Sequence, residues 1–418
     1  METNCRREYK HHMGLKKLIL VGPDGSPLRN TEVVVEQAKH KFLFGCFGGY
    51  SSVALANGEL DGYSRKIEEE RFQKIFDLFN YIVLPFYWRE FEMVRGQLDT
   101  ERMKIAARWV LDNGCVPKGH VLCWHSFTAP WLLELSNTQI LSSQIERTER
   151  EVSSFAGLID IWDVINEAVI MPVFKKDDNG ITRICKELGR IRTVGDMFSA
   201  AKKSNPNATL LINDFVYTTI DSYEILVEGC LEAGIPIDAI GIQSHMHQGY
   251  WGVEKTQEIL ERFSRFNLPI HFTETTLLSG HIMPAEFVDF NDYMVEKWPT
   301  TTEGEERQAR EVVQLYKTLF AHPAVESITW WEFTDGQWLG APSGLMTQDN
   351  RLKPSYEELH KLIKGEWWTG PFRIATDEAG AITVSGFAGE YQVSCNGKNG
   401  RFILEKKMEE SVSRVTIY

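Results

Sequence analysis

Short apolar runs alternate with segments of helical periodicity along most of this 418-residue chain. The apolar residues between the runs recur at helical spacing, as in residues 67–79 and 312–320. A short continuous apolar run is typical of a buried parallel strand. The runs are FLFGCF at 42, YIVLPF at 81, GHVLCW at 119, LIDIWDVI at 158, TLLIN at 209, IDAIGIQ at 237, LPIHFTE at 268 and SITWWEF at 327.

Eight such strands, each followed by a helical segment, predict an α/β fold of the (β/α)8 TIM barrel type over residues 42–364. A doubly wound open sheet would produce a similar alternation. That alternative usually brings a glycine-rich phosphate loop, and neither G-x-G-x-x-G nor a Walker motif occurs in this chain. The barrel is therefore the favoured prediction.

The two ends of the chain carry a different, purely strand-like pattern. Residues 15–41 contain two apolar runs around the turn sequence GPDGSPL, and residues 365–418 contain about five runs separated by Gly, Asn and Asp. Because two strands alone do not form a stable unit, we expect both segments to pair in one small β-sandwich that flanks the barrel. Residues 1–14 are predicted to be disordered or tag-like.

Composition and charge narrow the possible partners. The net charge is −13, so neither nucleic acid nor an anionic membrane is an expected partner. The seven cysteines form no C-x-x-C pair, which indicates neither a zinc site nor a disulfide framework and suits a reducing compartment. The first residues contain no apolar signal-peptide core. A cytoplasmic protein is expected, or a secreted one if a leader has been removed.

Polar and aromatic residues end six consecutive predicted strands, at the edge where a TIM barrel carries its active site. Among the acidic residues at these ends, Glu167 and Glu274 stand three βα units apart. A single strand-end Glu is usually solvated, but two carboxylic acids that face one pocket are what cleavage of a glycosidic bond requires. The strand ends are Trp124-His125, Asn166-Glu167, Asn213-Asp214, Gln243-Ser244-His245, Thr273-Glu274 and Trp330-Trp331-Glu332.

The sequences around these residues resemble glycoside hydrolase family 10, the endo-β-1,4-xylanase family, over roughly residues 42–364. The Asn-Glu and Thr-Glu pairs occur throughout a larger clan of barrel glycosidases, whereas the Trp-His and Gln-Ser-His motifs narrow the resemblance to this family. The matching segments, in chain order, are GHVLCWHS, WDVINEA, LLINDF, IGIQSHMH, HFTET and ITWWEFTDGQWLGAPSGLMTQDNRLKPSYEEL.

The resemblance implies a role for each site residue. Glu167 would be the acid/base and Glu274 the nucleophile of a retaining double displacement. His245, together with Gln243, would orient the nucleophile and keep it ionised. Asn166 would bind the sugar 2-hydroxyl, His125 the neighbouring hydroxyl, and tryptophans would form apolar walls for the sugar rings. The implied substrate-binding residues are His125, Asn166, Gln243, Trp331, Trp338, Trp131 and Tyr87.

No cofactor or metal is implied, because two carboxylic acids supply the chemistry of this family. The pair His245 and His247 has the His-x-His spacing of metal ligands. Without a third ligand nearby, this spacing is a weak signal, and we expect no metal site.

The chain also departs from the family pattern next to the cleavage site. The strand 2 motif of the family carries a Glu-Asn pair and a Lys, and Val83, Leu84 and Tyr87 stand at these positions. Loss of buried polar partners weakens recognition of sugar hydroxyls. Binding beyond the cleaved sugar is therefore expected to rely on apolar contacts. In the same way Phe127, Phe215 and Thr276 stand where the family has Gln, Tyr and Asp.

The resemblance thus predicts a retaining glycoside hydrolase that cleaves β-1,4-xylosidic bonds in xylan or xylo-oligosaccharides, its expected binding partners. One alternative is a β-glycosidase of the same clan that acts on another β-glycan or on an aryl or alkyl glycoside, which the strand 2 changes favour. A second alternative is a catalytically inactive carbohydrate-binding protein, which the presence of both carboxylic acids disfavours. The adjacent Trp367 and Trp368 leave open whether the terminal sandwich binds carbohydrate.

Overall fold

The computed structural model describes residues 8–407 and 411–418. It divides into two compact units, one formed by Phe44–Tyr356 and the other by Met1–Leu43 together with Glu357–Tyr418. We call the first the barrel unit and the second the sandwich unit, after the sheets that each contains.

The strands are β1 Met13–Val21, β2 Glu32–His40, β3 Leu43–Phe47, β4 Tyr81–Pro85, β5 Val116–Cys123, β6 Ile161–Asn166, β7 Thr209–Phe215, β8 Ala239–Met246, β9 Ile270–Leu277, β10 Val325–Trp330, β11 Phe372–Ala375, β12 Ala381–Phe387, β13 Gly389–Cys395, β14 Lys398–Leu404 and β15 Ser411–Thr416. The helices are α1 Gly49–Ala56, α2 Gly62–Leu78, α3 Trp88–Phe91, α4 Thr100–Asp112, α5 Asn137–Ser154, α6 Gly180–Leu188, α7 Arg190–Ser204, α8 Ile220–Glu232, α9 Gly252–Ser264, α10 Thr302–Phe320 and α11 Pro354–Lys361.

Eight strands, β3 to β10, close into a barrel in which β10 pairs with β3. The apolar runs of the sequence form these strands, and β8 and β9 are buried along their whole length. Helices cover the strands with the residues that recur at helical spacing, such as Val312, Leu315 and Leu319 of α10, which are fully buried. The predicted TIM barrel is confirmed.

A buried arginine forms hydrogen bonds with the carboxyl ends of two barrel strands, β4 and β5. Arg147 of α5 donates hydrogen bonds to the carbonyl oxygens of Leu122 and Phe86 and, at 3.2 Å, of Val121. Helix α5 itself begins at a capping box, in which Ser136 and Gln139 satisfy each other's backbone N–H groups. The buried carbonyl groups at the carboxyl ends of β4 and β5 are therefore hydrogen-bonded, and these strand ends have a defined geometry.

The sandwich unit combines strands from both ends of the chain, as predicted for the fold class. One sheet has the order β12-β1-β15 and the other the order β11-β2-β13-β14. Side chains from both sheets share one apolar core, with Leu18 and Leu20 from the first sheet and Val33 and Tyr391 from the second. Additional β-sheets built from N- and C-terminal strands thus accompany the barrel.

The predicted disordered segment 1–14 is only partly described. Residues 1–7 lie outside the described residues. Lys10–His12 form a 3-10 turn, and β1 begins directly after it at Met13. In the same unit, Trp367 is fully buried, and its ring centroid lies 5.9 Å from that of Tyr9 in an edge-on arrangement, so this tryptophan is a core residue.

In the two described ranges, no helix combines the length and hydropathy that crossing a membrane requires. Within the same ranges, no group of three or more His, Cys, Asp or Glu side chains is placed to hold a metal ion.

We predict that Leu18→Ala destabilises the sandwich unit, because Leu18 is fully buried between its two sheets. The expected loss in free energy of unfolding is about 2–5 kcal/mol, the usual cost of emptying a leucine site in a core. The loss is measured by amide hydrogen exchange, followed by mass spectrometry: the amides of β12 and β13 should exchange faster in the variant. Lys17→Ala, a change at the neighbouring position on the less buried side of β1, is the control and should change stability by less than about 0.5 kcal/mol. Equal exchange in the two variants would contradict the shared core.

Candidate active site

Two carboxylic acids occupy the carboxyl end of the barrel, three strands apart. Glu167 follows directly after β6, and Glu274 lies in the second half of β9 with 5% of its surface exposed. Glu167 has a φ of +54°, an uncommon backbone conformation for a residue with a side chain. Its backbone N–H donates to the carbonyl oxygen of Asn213 at 2.9 Å, which stabilises that conformation and joins the ends of β6 and β7.

The side chain of Glu167 is surrounded by hydrogen-bond donors. The indole N–H of Trp124 donates to Oε2 at 2.9 Å, and the amides of Gln243 and Asn166 lie 3.2 and 3.3 Å from Oε1. Burial raises the pKa of Glu167 to about 7; the hydrogen bond from Trp124 opposes this rise, and the negative charge of Glu274 adds to it. Below pH 7, Glu167 therefore carries a proton that it can donate.

Glu274 is held by two nitrogen atoms. Nε2 of His245 is 3.0 Å from Oε2, and Nδ2 of Asn213 donates to Oε1 at 2.9 Å. The amide of Asn213 also donates to Oδ1 of Asn166 at 2.8 Å, while its own oxygen accepts from the hydroxyl of Thr273 at 2.6 Å. One buried amide thus connects the acid side of the site to the nucleophile side.

Gln243 lies on the acid side, which differs from the role that the sequence assigned to it. Its Nε2 donates to Oδ1 of Asn166 at 3.0 Å and to Glu167, rather than to Glu274. The backbone of Gln243 pairs with that of Glu274 on β9, but its side chain points toward Asn166 and Glu167 at the end of β6. His245 alone of the two residues contacts the predicted nucleophile, as expected.

His125 lies beside Glu167 but is enclosed. It is 1% exposed, its ring is 4.2 Å from that of Phe174, and its Nε2 is 3.7 Å from Oε2 of Glu167. Neither ring nitrogen makes a hydrogen bond within the described part of the chain. Burial lowers the pKa of His125 to about 3, so the ring is neutral at physiological pH.

A second histidine, His120, was missed by sequence reasoning. Nδ1 of His120 and Nζ of Lys118 both lie 2.7 Å from Oδ2 of Asp163, and all three side chains are buried. The His120 ring faces Tyr87 and Trp331, at centroid distances of 5.8 and 5.3 Å. A sequence signal exists: a buried Asp in the strand WDVINE needs partners, and neighbouring strand β5 carries both Lys118 and His120.

Aromatic rings form the walls of the barrel end that carries the carboxylic acids. Trp331 stacks on Phe47 at 4.0 Å, and Trp338 lies 4.4 Å from the ring of His245. Tyr87 packs against the cluster of Phe47, Val83 and Trp331, and its ring stacks 5.3 Å from that of Phe127. Three of the predicted aromatic residues, Tyr87, Trp331 and Trp338, are therefore brought to the site.

Trp131 is not part of these walls. Its indole N–H donates to the carbonyl oxygen of Glu92 at 3.0 Å, its ring packs edge-on against Trp88 at 5.5 Å, and the guanidinium of Arg95 lies over it at 5.0 Å. These contacts tie Trp131 to the segment after β4 instead of the carboxylic acids.

The departures from the family pattern have clear structural consequences. Val83 and Leu84 are buried, and Val83 packs with Phe47 and Trp331 in an apolar cluster. Thr276 lies 3.3 Å from Nδ1 of His247, so this position supports His247 and not His245. The strand 2 positions that carry polar side chains in the family thus contribute apolar packing.

On the β7 side, Tyr217 is a further residue that sequence reasoning missed. Its ring is stacked between Phe215 at 4.7 Å and Phe290 at 4.4 Å. Burial raises the pKa of Tyr217, and the charge of Glu167 adds to this effect.

A third carboxyl group at the site belongs to Glu332, which follows Trp331. Its Oε2 accepts a hydrogen bond of 2.8 Å from the backbone N–H of Trp338, and burial raises its pKa to about 7. By contrast, Asp214 has a structural role, since it accepts the backbone N–H groups of Val169 and Phe215 at 3.0 and 2.9 Å.

We predict that Trp124→Phe raises the pKa of Glu167 above its value of about 7. The substitution removes a donor that favours the ionised carboxylate, so a rise of roughly one unit is expected. Carbon-13 NMR of the labelled carboxyl groups measures the titration directly. The control is Trp131→Phe, which removes an indole N–H bonded to the backbone of Glu92. The same titration of Glu167 in the wild type and both variants would contradict this hydrogen bond.

Comparison with known proteins supports the chemistry suggested by this geometry. The family model for glycosyl hydrolase family 10 matches residues 49–361. Endo-1,4-beta-xylanase B of Thermotoga neapolitana is 28% identical over 298 residues, which cover 66% of this chain and 78% of that protein. The anti-sigma-I factor RsgI6 of Acetivibrio thermocellus is 24% identical over 385 residues, which cover 90% of this chain and 44% of that protein.

Solved structures show the same barrel. Xylanase 10B of Thermotoga petrophila in complex with xylobiose superimposes with a TM-score of 0.63 at 20% identity, over 78% of this chain and 95% of that chain. A GH10 structure from Paenibacillus barcinonensis gives 0.63 at 20% identity, over 79% and 97% of the two chains. At this level of identity, the similarity establishes the fold.

The family match covers most of the barrel unit and more than half of the chain, and it includes both buried carboxylic acids and the histidine and amides that hold them. As the sequence motifs predicted, the chain belongs to glycosyl hydrolase family 10 and is a glycoside hydrolase.

Proposed function

We propose that this protein cleaves β-1,4-xylosidic bonds in xylan or xylo-oligosaccharides and retains the configuration of the anomeric carbon. The observation that carries the proposal is the unequal environment of Glu167 and Glu274, which gives one of them a pKa of about 7 and holds the other with His245 and Asn213. The names of the related endo-1,4-beta-xylanases support xylose chains as the substrate.

In the first step, a carboxylate oxygen of Glu274 attacks the anomeric carbon, and the bond from that carbon to the leaving oxygen breaks. Glu167 donates its proton to the leaving oxygen, so the departing sugar leaves as a neutral alcohol. The product is a covalent ester between the sugar and Glu274.

The second step uses the electrostatic coupling between the two acids. Ester formation removes the negative charge of Glu274, and that charge is one of the causes that raise the pKa of Glu167. The pKa of Glu167 is therefore lower in the intermediate, and its carboxylate accepts a proton from the water that attacks the anomeric carbon. Cleavage of the ester restores both groups.

The surrounding residues would position the sugar. The amide of Asn166 is oriented by Asn213 and Gln243, which accounts for its proposed contact with the 2-hydroxyl. Trp331 and Trp338 offer aromatic surfaces next to the nucleophile, and such surfaces stack on sugar rings. His125 as a ligand of the neighbouring hydroxyl stays a prediction.

A second candidate function is hydrolysis of another β-glycan or of an aryl or alkyl β-glycoside. It is favoured by Val83 and Leu84, which present apolar side chains where recognition of a polymeric xylose chain would use polar ones. A third candidate is carbohydrate recognition without turnover, which the presence of both Glu167 and Glu274 in the site disfavours.

Product analysis on xylotetraose and arabinoxylan tests the proposal. We expect the wild type to release xylobiose or longer products and Glu274→Ala to release none, because loss of a nucleophile in this class of mechanism typically costs more than about 10⁴-fold in rate. The control is Glu232→Ala, at the end of α8 and therefore at the opposite face of the barrel, which should leave the products unchanged.

The alternatives give different results in the same experiment. Cleavage of aryl β-glucosides or β-cellobiosides, without cleavage of either xylan substrate, would identify the second candidate. Sugar binding by the wild type without product at any pH would identify the third. Activity that persists in Glu274→Ala would contradict the assigned nucleophile.

The pKa of Glu167 predicts how the rate depends on pH. Because the acid must be protonated and its pKa is about 7, kcat/KM for a phenyl β-xylobioside should fall about tenfold between pH 6 and pH 8. A dinitrophenyl β-xylobioside needs no proton on its leaving group, so its kcat/KM should stay nearly constant over this range. Stopped assays across the pH series measure both rates.

The matched variant for this comparison is Glu167→Gln, which removes the acid without changing the size of the side chain. We expect it to lose most activity on the phenyl substrate and to keep its kcat/KM on the dinitrophenyl substrate. If kcat/KM decreased equally at alkaline pH for both substrates, a group other than Glu167 would control the pH dependence.

A further inference from the structure

A long segment after the nucleophile strand covers part of the carboxyl end of the barrel. We call residues 278–301, which connect β9 to α10, the rim segment. The indole N–H of Trp298 donates to the carbonyl oxygen of His281 at 2.8 Å, and the hydroxyl of Tyr293 lies 2.8 Å from Nε2 of His281. The two halves of the rim segment are therefore fastened to each other.

The first half of the rim segment follows the end of β8. The backbone N–H of Met283 donates to the carbonyl oxygen of His247 at 2.8 Å. The side-chain amide of Gln248 donates to the carbonyl oxygen of Phe287 at 2.9 Å. His247 itself is fully buried, and the ring of Phe290 lies 5.4 Å from its ring. The rim segment thus covers the residues that end β8.

From β8 the rim segment continues over β7 to the segment after β6. The ring of Phe290 stacks at 4.4 Å on that of Tyr217, which lies just beyond β7. Asp289 and Asp292 both contact Nζ of Lys176, at 2.7 and 2.8 Å. Lys176 belongs to the segment between β6 and α6, which begins with the catalytic acid. The segments that follow the acid and the nucleophile are therefore joined across the ends of β7 and β8.

Apolar side chains, mostly from the rim segment, fill the space that it covers. They form a buried cluster against which Tyr217 packs from the β7 side and Trp338 from the side of β10. The cluster consists of Leu278, Met283, Phe290, Trp298 and Ala341. Because protein interiors are closely packed, this cluster blocks the way over the end of β8 for a sugar chain.

A sugar chain that passes between the two acids can leave the barrel end in two directions. Glu167 and Glu274 stand at the ends of β6 and β9, so one direction crosses β7 and β8 and the other crosses β3, β4 and β5. The second direction holds the strand 2 positions Val83 and Leu84 of β4, where the family resemblance places the sugar on the non-reducing side of the cleaved one. The leaving group therefore extends toward β7 and β8 and meets the rim segment.

We propose that the rim segment determines the length of the leaving group: it admits only a short one, so the enzyme cleaves xylose chains near their reducing end. The inference rests on the proposed hydrolysis of xylan and concerns which bond of a chain is cut. Its physical basis is exclusion, because a longer leaving group would have to displace the apolar cluster or separate Lys176 from Asp289 and Asp292.

Xylohexaose labelled with oxygen-18 at its reducing end tests the inference. Mass spectrometry of the first products shows which of them carries the label, and therefore which bond was cleaved. In the wild type we expect the label mainly in xylose and xylobiose. Phe290→Ala removes the ring that stacks on Tyr217, and we expect the share of label in xylotriose and longer products to rise roughly tenfold.

A second variant, Lys176→Ala, separates the rim segment from the segment after β6 without changing the apolar cluster. The label should shift toward longer products in this variant as well. The matched control is Lys202→Ala, which removes an ion pair of 3.1 Å with Asp238. Asp238 directly precedes β8 and thus lies at the opposite face of the barrel, so the control should keep the wild-type pattern.

The position of the label does not depend on how much of a variant is folded. Label found largely in xylotriose or longer products of the wild type would overturn the inference and leave xylan hydrolysis in place. A wild-type pattern in both rim variants would overturn it too, since the rim segment would then not set the length. A wild type that cleaves neither xylohexaose nor phenyl β-xylobioside would overturn the proposed function, and the inference with it.

Discussion

The active site depends on the hydrogen bonds of one buried amide, Asn213. Its two N–H groups are shared between Asn166 and Glu274, and its oxygen is occupied by Thr273, so only one orientation of the side chain satisfies all three contacts. Gly241 on the neighbouring strand leaves room for this amide, because a Cβ atom there would lie 2.4 Å from its oxygen. The amide thus supplies one of the two nitrogen contacts of Glu274 and one of the two donors that orient Asn166.

Burial then gives similar carboxyl groups different properties. Glu167 and Glu332 both have a pKa of about 7 because both are removed from water, but their surroundings differ. Glu167 is contacted by three side-chain donors and feels the charge of Glu274. Glu332 accepts a hydrogen bond from the backbone N–H of Trp338. The first environment suits transfer of a proton, whereas the second connects Glu332 to the backbone of Trp338.

Sequence patterns were sufficient to predict the barrel and the location of the two acids, because strand order and strand ends follow from position along the chain. Apolar runs of strand length recur eight times, and the residues that end them lie at one edge of the barrel. The side-chain partners could not be read in this way. Gln243 and His245 lie on one strand but contact different acids, and Trp131 turns to the backbone of Glu92, because rotamers and neighbouring segments decide these contacts. To find His120 from the sequence, one would have to look for the partners of the buried Asp163 on the adjacent strand, β5.

The sheet order of the sandwich unit has a consequence for the synthesis of the chain. Strand β1 lies between β12 and β15, and β2 lies between β11 and β13, so both early strands find their partners only among residues that are made after the barrel. On the ribosome, β1 and β2 emerge first and keep their hydrogen-bonding edges unpaired while Phe44–Tyr356 are translated. Unpaired edges associate readily with other strands, and the charged residues of β2, Glu32, Glu36 and Lys39, are a feature that limits such association. Synthesis of β11 to β15 thus ends the period in which β1 and β2 are exposed to aggregation.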